Sequence, residues 1–228
     1  MGVHTDPANL GTACAGDTTG PVGWDVERNG LRYAAAFAYY DSEDAVVDVA
    51  IKAMFTHREH SALIGGEFFA RVTFRVMHHS LSPREAIQQV AADMTDPWIE
   101  QKVNQAIAKV AEAVEEPLAS EEFVDDLALT TMARLWDVEK SEPIKVGKAS
   151  PTEGTLPGAI YFILKYDDLI AAAKANCMVG GDNASRSIAI GMVLGASQGV
   201  SASPADLKDL LNHWEHSETL LRQLPLLK

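Results

Sequence analysis

An all-α fold is predicted from three features of the 228-residue chain. Apolar residues recur at helical spacing over almost everything from Leu31 onward, helix-capping patterns punctuate that run, and no β-rich region demands a sheet. Residues 1–30 are rich in Gly, Thr, Asp and Pro (GTACAGDTTGPVGWD) and read as an irregular N-terminal segment. The length suits a single domain with one well-buried core. Hydrophobic residues make up 47% and charged residues 22%, a globular composition that excludes wholesale disorder and fibrous architectures.

The elements follow in order. Asp41 and Asp44 form a pattern like a capping box ahead of DAVVDVAIKAMF, where Val46, Val47, Ala50, Ile51 and Met54 lie at helical spacing. The segment SALIGGEFFARVTFRVMHH alternates in part, but its length favours a helix with Phe68, Phe69 and Phe74 in the core. Ser82-Pro83-Arg84-Glu85 supplies an N-cap, a proline at the first helical position and a capping-box glutamate, so a helix runs to about Met94. Further helices are expected at about 97–114 and 121–136, the second opening on Glu121, Glu122, Asp125 and Asp126 as a solvated helix start. Residues 141–158 hold three prolines and three glycines and read as a long loop. The segments AIYFILKY, DDLIAAAKANCM and DNASRSIAIGMVLGA come next, then a final helical pair beginning near Ser203-Pro204-Ala205-Asp206.

The balance of nineteen basic against thirty-two acidic side chains leaves a net charge of −13. That field repels nucleic-acid phosphates and anionic membranes, so neither is expected as a partner. An anionic small molecule binds only where a helix N-terminus, an arginine or a cation reverses the field locally. Two cysteines, Cys14 and Cys177, make no disulfide framework and no zinc spacing. With no secretory signal pattern and no membrane-length apolar run, the chain reads as cytoplasmic. The pairs His57/His60, His78/His79 and His213/His216 lack the accompanying motif of a zinc site and read as surface histidines.

The informative stretch is Asn176 to Ala196. The pair Gly180-Gly181 admits the left-handed backbone of a sharp reversal. Asp182 and Ser185 stand in the first turn of the next helix, where oxygen acceptors cap amides or hold a cation. That helix is apolar nearly all round, with Ser187, Gly191 and Gly195 stacked at i, i+4, i+8, and is expected to be buried and closely packed.

Leu169, Ala172, Ala173, Asn176, Gly180, Gly181, Asp182, Gly191, Gly195 and Ala196 resemble the C-terminal signature of the ADP-ribosylglycohydrolases. The small residues after Asp182 resemble more closely the J-crystallin-like branch, as do Asn29-Gly30-Leu31-Arg32, Thr56-His57 and Glu67-Phe68-Phe69-Ala70 upstream. The likeness runs from about residue 29 to residue 223. It implies an orthogonal all-α bundle around a central cleft and a domain that hydrolyses or binds an ADP-ribose-type N- or O-glycoside. It further implies a pair of magnesium ions held between this motif and a Thr-Asp-Asp motif. No Thr-Asp-Asp occurs here, so the chain reads as the later two-thirds of a family member. Ala184 stands where the signature has its second aspartate, which leaves Asp182 and Ser185 of three C-terminal ligands and a partly degraded magnesium site.

The resemblance makes Asp182 the catalytic and metal-binding carboxylate, with Ser185 assisting, and lines the substrate site with Asn176, Gly180, Gly181 and Arg186. Read from the residues alone, Asp182 is a helix N-cap before it is a metal ligand, and Ser185 is equally a first-turn serine bonded to backbone. Arg186 is either a simple i, i+4 partner of Asp182 or a guanidinium filling the space of the missing cation, pointing into the cleft within reach of Asp182. A non-catalytic, crystallin-like structural or interaction protein is the alternative function.

Overall fold

The structure is a computed structural model that describes residues 36–54, 60–115, 121–132, 134–135, 144–145, 152–199 and 214–223. Helices α1 (Glu43–Ala53), α2 (His60–His78), α3 (Pro83–Met94), α4 (Pro97–Glu115) and α5 (Glu121–Met132) come first. A two-residue antiparallel ladder follows, β1 (Arg134–Leu135) against β2 (Ile144–Lys145), in register Arg134↔Lys145 and Leu135↔Ile144. Helices α6 (Thr152–Lys165), α7 (Leu169–Val179), α8 (Asn183–Gln198) and α9 (Trp214–Leu221) complete the described elements. The all-α expectation holds, and none of these helices is long and apolar enough to cross a membrane. Residues 1–30, Cys14, His57, His213 and the Ser203-Pro204 helix start lie outside the described residues.

Local signals set most helix starts. Ser82 accepts from the Glu85 amide while the Glu85 carboxylate accepts from the Ser82 amide, the capping box read from the sequence. The Asp96 carboxylate takes the Trp98 and Ile99 amides at 3.0 Å each and starts α4. Asp168 caps α7 through the Ala171 amide. At α1 the cap is Ser42 rather than Asp41, and Asp44 sits in the first turn; one residue of register separates the two, and both place an acceptor over the free amides.

Three expectations are corrected. Helix α5 stops at Met132, short of residue 136, because Arg134 and Leu135 pair with the second short strand. The long loop over 141–158 ends at 151, since Thr152 to Gly158 already belong to α6 with Pro157 inside the helix. Burial explains this: every residue from Gly154 to Leu164 is buried, and packing on all sides outweighs the propensity cost of Gly154, Pro157 and Gly158. The acidic run before α6 is not wholly solvated either. Asp125 is 1% exposed, and its carboxylate accepts from the hydroxyls of Tyr161 and Tyr166 at 2.7 Å each and from the Lys165 ammonium. A buried carboxylate is tolerated where donors satisfy it, and these all come from α6 and its C-terminal end.

Helix α2 carries Phe68, Phe69, Val72 and Val76 into the main core and Ala70 and Phe74 into a second cluster with α1. An ion network closes the α1 side. Arg71 reaches Glu43 at 2.7 Å and Glu67 at 2.8 Å, and Arg75 bridges Glu43 at 2.9 Å and Asp93 of α3 at 2.6 Å. Burial pushes the Glu43 carboxyl up, but hydrogen bonds from Arg75 and Arg71 outweigh it and hold the carboxyl below its ordinary value.

Two outcomes follow from this packing. Glu43 titrates lower folded than unfolded, so its contribution is present above the unfolded value and is lost as pH falls through the folded one. The urea-unfolding stability gap between wild type and Glu43→Gln therefore narrows from about pH 6 to about pH 3, the range in which carboxylates titrate. At Gly158 a Cβ would lie 3.0 Å from Cδ of Arg186 and 3.5 Å from Leu129. Overpacking of about 1–3 kcal/mol exceeds the gain of about 1 kcal/mol from replacing a helical glycine. Gly158→Ala is thus expected to be net destabilised by about 1 kcal/mol in urea denaturation, and an unchanged or raised midpoint counts against this packing.

Candidate functional site

The candidate site is the reversal between α7 and α8. Helix α7 stops at Val179, and Gly180 and Gly181 take φ of +72° and +69°, values that side-chain-bearing residues rarely adopt. The Gly180 amide closes the turn on the Cys177 carbonyl at 3.2 Å. Asp182 then caps α8: its Oδ1 accepts from the Ser185 amide at 3.1 Å and its Oδ2 from the Ser185 hydroxyl at 2.7 Å. Asp182 is half-buried, Ser185 buried, Gly181 exposed and Ala184 exposed.

Beneath the turn lies Arg186, 1% exposed and the largest fully buried side chain among the described residues. Its stem passes Gly158 of α6, where the missing side chain leaves it room. Its Nε donates to Oδ1 of Asn176 at 2.6 Å and its Nη2 to the Gly180 carbonyl at 2.6 Å. Asn176, itself fully buried, donates through Nδ2 to the Asn183 carbonyl and to Ser187 Oγ, each at 2.9 Å. One asparagine thus ties the last turn of α7 to the first turn of α8 and to the guanidinium. Burial pushes the Arg186 pKa down to about 10, against the opposing charge of Asp182 and a smaller effect of Cys177, so it remains a cation at neutral pH.

The turn brings Asn176, Gly180, Gly181, Asp182, Ser185 and Arg186 together, as the sequence suggests, but not in the expected contacts. Among the described residues Arg186 makes no hydrogen bond to Asp182; its donors point to oxygens on the α7 side, and the Asp182 oxygens turn to Ser185. The stripe of Gly191 and Gly195 is no close helix contact among the described residues, where nothing lies within 4 Å of a Cβ at either. Helix α8 packs instead through Ala189, Ile190, Val193 and Leu194. No group of three or more metal-ligating side chains occurs among the described residues. His60 is exposed and lies 3.6 Å from Asp96, while half-buried His78 stacks on Phe74 and meets the Phe37 carbonyl at 2.7 Å.

Sequence reading passed over two polar clusters. The Asp125 cluster was hidden because nothing local distinguishes Asp125 from its exposed-looking neighbours; the i, i+4 spacing of Tyr161 and Lys165 was the available signal. A groove of about 400 Å³ is lined by Ile64, Glu67, Arg71, Arg75, Asp93 and Met94. Its two guanidiniums are already answered by Glu43, Asp44, Glu67 and Asp93, so it presents no free positive charge to an anion.

Fold and turn together define an all-α bundle in which a Gly-Gly-Asp reversal over a polar floor opens a helix buried along one face. The ADP-ribosylglycohydrolase family profile matches residues 6–228, and the chain belongs to that family. The match also takes in residues 6–28, which the resemblance over 29–223 left aside. No curated protein matches the chain.

Because Asn176 is the acceptor for a buried cation, Asn176→Ala leaves the Arg186 Nε without a partner. A loss of about 2–3 kcal/mol is expected in chemical denaturation, the cost of stranding a buried polar group. A loss below about 1 kcal/mol, that of an ordinary hydrogen bond, contradicts this role.

Proposed function

We propose that the chain binds an ADP-ribose-type N- or O-glycoside at the turn over 180–186, as a glycohydrolase-type domain of its family. The observation that carries this reading is the half-buried Asp182 carboxylate held in fixed orientation at the mouth of a turn whose floor is a buried guanidinium. Ser185 takes one lone pair on each oxygen, and a carboxylate has about four acceptor sites in all. Gly180 and Gly181 put no side chain in the way of a ligand approaching the backbone. The Arg186 charge offsets Asp182, so this turn does not repel a diphosphate as the rest of an acidic chain does.

In the hydrolytic form of the reading, Asp182 accepts a proton from a water whose oxygen adds to the anomeric carbon. The bond to the acceptor breaks, and the acceptor nitrogen or oxygen leaves with that proton. The family is typically metal-dependent, and the resemblance assigns magnesium to Asp182 and Ser185. Those two residues hydrogen-bond each other, with a buried guanidinium one turn on, and this donor set does not fit a dinuclear magnesium site. The J-crystallin-like branch, on the small residues after Asp182, and a cytoplasmic location, with Cys177 a free exposed thiol, complete the reading.

Titration calorimetry of the full chain with ADP-ribose, in magnesium and again in EDTA, tests the binding. Saturable heat is expected in both, weakened at least tenfold by Asp182→Ala, a variant that loses at most about 2 kcal/mol of stability with its cap. No heat and no thermal shift at millimolar ADP-ribose would falsify the reading. Heat without turnover of an ADP-ribosylated substrate marks the non-catalytic use of the bundle.

A further inference from the structure

We infer that Arg186 is a built-in cation of the Gly-Gly-Asp turn: its guanidinium occupies the oxygen-lined position beneath Asp182, and the turn accordingly takes no divalent metal at Asp182. An asparagine Oδ1 and a backbone carbonyl, those of Asn176 and Gly180, are the oxygen types that hard cations use, and here both meet guanidinium N–H groups at 2.6 Å. The left-handed backbone at Gly180 and Gly181 belongs to the reversal that presents this carbonyl. Gly158 is the second feature of the cradle, because a Cβ there would lie 3.0 Å from the arginine Cδ and crowd the stem.

Arg186 is buried, and the nearby Asp182 carboxylate balances it, giving one positive against one negative charge. A divalent ion on Asp182 would leave a net charge of plus two at the turn and repel the guanidinium through a low-dielectric medium. Ala184, exposed at the first turn of α8, supplies no second carboxylate to compensate. The inference concerns the turn itself and stands whether or not ADP-ribose is the ligand.

Manganese titration of the metal-stripped full chain, read by water-proton relaxation, tests it beside Asp182→Asn, which preserves an N-cap acceptor. Wild type and Asp182→Asn are expected to titrate alike, with no saturable site that depends on Asp182. A saturable site present in wild type and lost in Asp182→Asn overturns the inference. Arg186→Ala provides a second arm. Manganese is expected to raise the Tm of Arg186→Ala by several degrees and to leave the wild-type Tm unmoved. A folded Arg186→Ala whose Tm ignores manganese shows the guanidinium to be a packing group only, and overturns the inference. If that variant does not fold, the wild-type and Asp182→Asn titrations decide alone. ADP-ribose binding in EDTA is a separate measurement, so failure here is distinguishable from failure of the ligand reading.

Discussion

The buried guanidinium of Arg186 is the constraint around which the C-terminal half of this bundle is arranged. An isolated cation in a protein interior is costly by several kcal/mol, and it persists only where oxygens and a counter-charge surround it. Asn176 and the Gly180 carbonyl supply the oxygens, and Asp182 the counter-charge. Each of these needs a particular backbone: the last turn of α7 for Asn176, the left-handed reversal for Gly180, the N-cap position of α8 for Asp182. The turn is therefore specified by electrostatics as much as by the flexibility of its glycines.

The same demand reaches into the centre of the molecule. Helix α6 is buried along nearly its whole length and lies against α4, α7 and α8, so any side chain on it competes for interior volume. Gly158 is the position where that competition is resolved in favour of the arginine stem. Farther along the same helix Tyr161 and Lys165, with Tyr166 just beyond, hold Asp125 of α5 in a second satisfied polar cluster. Two buried charged groups of opposite sign are thus each answered by partners from a neighbouring helix and its end, α7 for Arg186 and α6 for Asp125. This fixes helix-to-helix register in a way that apolar packing alone leaves loose.

The third charged assembly, Glu43 with Arg71, Arg75 and Asp93, has a different character. Its members are partly open to solvent, and it joins α1, α2 and α3 at the side of the bundle rather than through its core. Screening and side-chain entropy keep such networks modest in stability, so their effect is on which helices pair and at what angle.

From residues alone, the all-α class, the Ser82 capping box, the Phe68, Phe69 and Phe74 core positions and the Gly-Gly-Asp turn were all legible. Each depends on interactions within one turn of helix or on simple periodicity, which the linear order of residues encodes directly. The family followed from the same turn, because its spacing is local. Tertiary structure alone decided that Thr152 to Gly158 are helical, since only burial on every side overrides two glycines and a proline. It also decided that Asp125 is interior while its neighbours looked like a solvated run, because its partners lie thirty-six to forty-one residues away. At the site, the sequence placed Arg186 one helical turn from Asp182, which made a direct pair the natural expectation. Folding brought α7 alongside α8 instead, and the guanidinium took the nearer oxygens of Asn176 and Gly180. Spacing along a chain names the groups that share a turn; which of them meet depends on the helix packed against it.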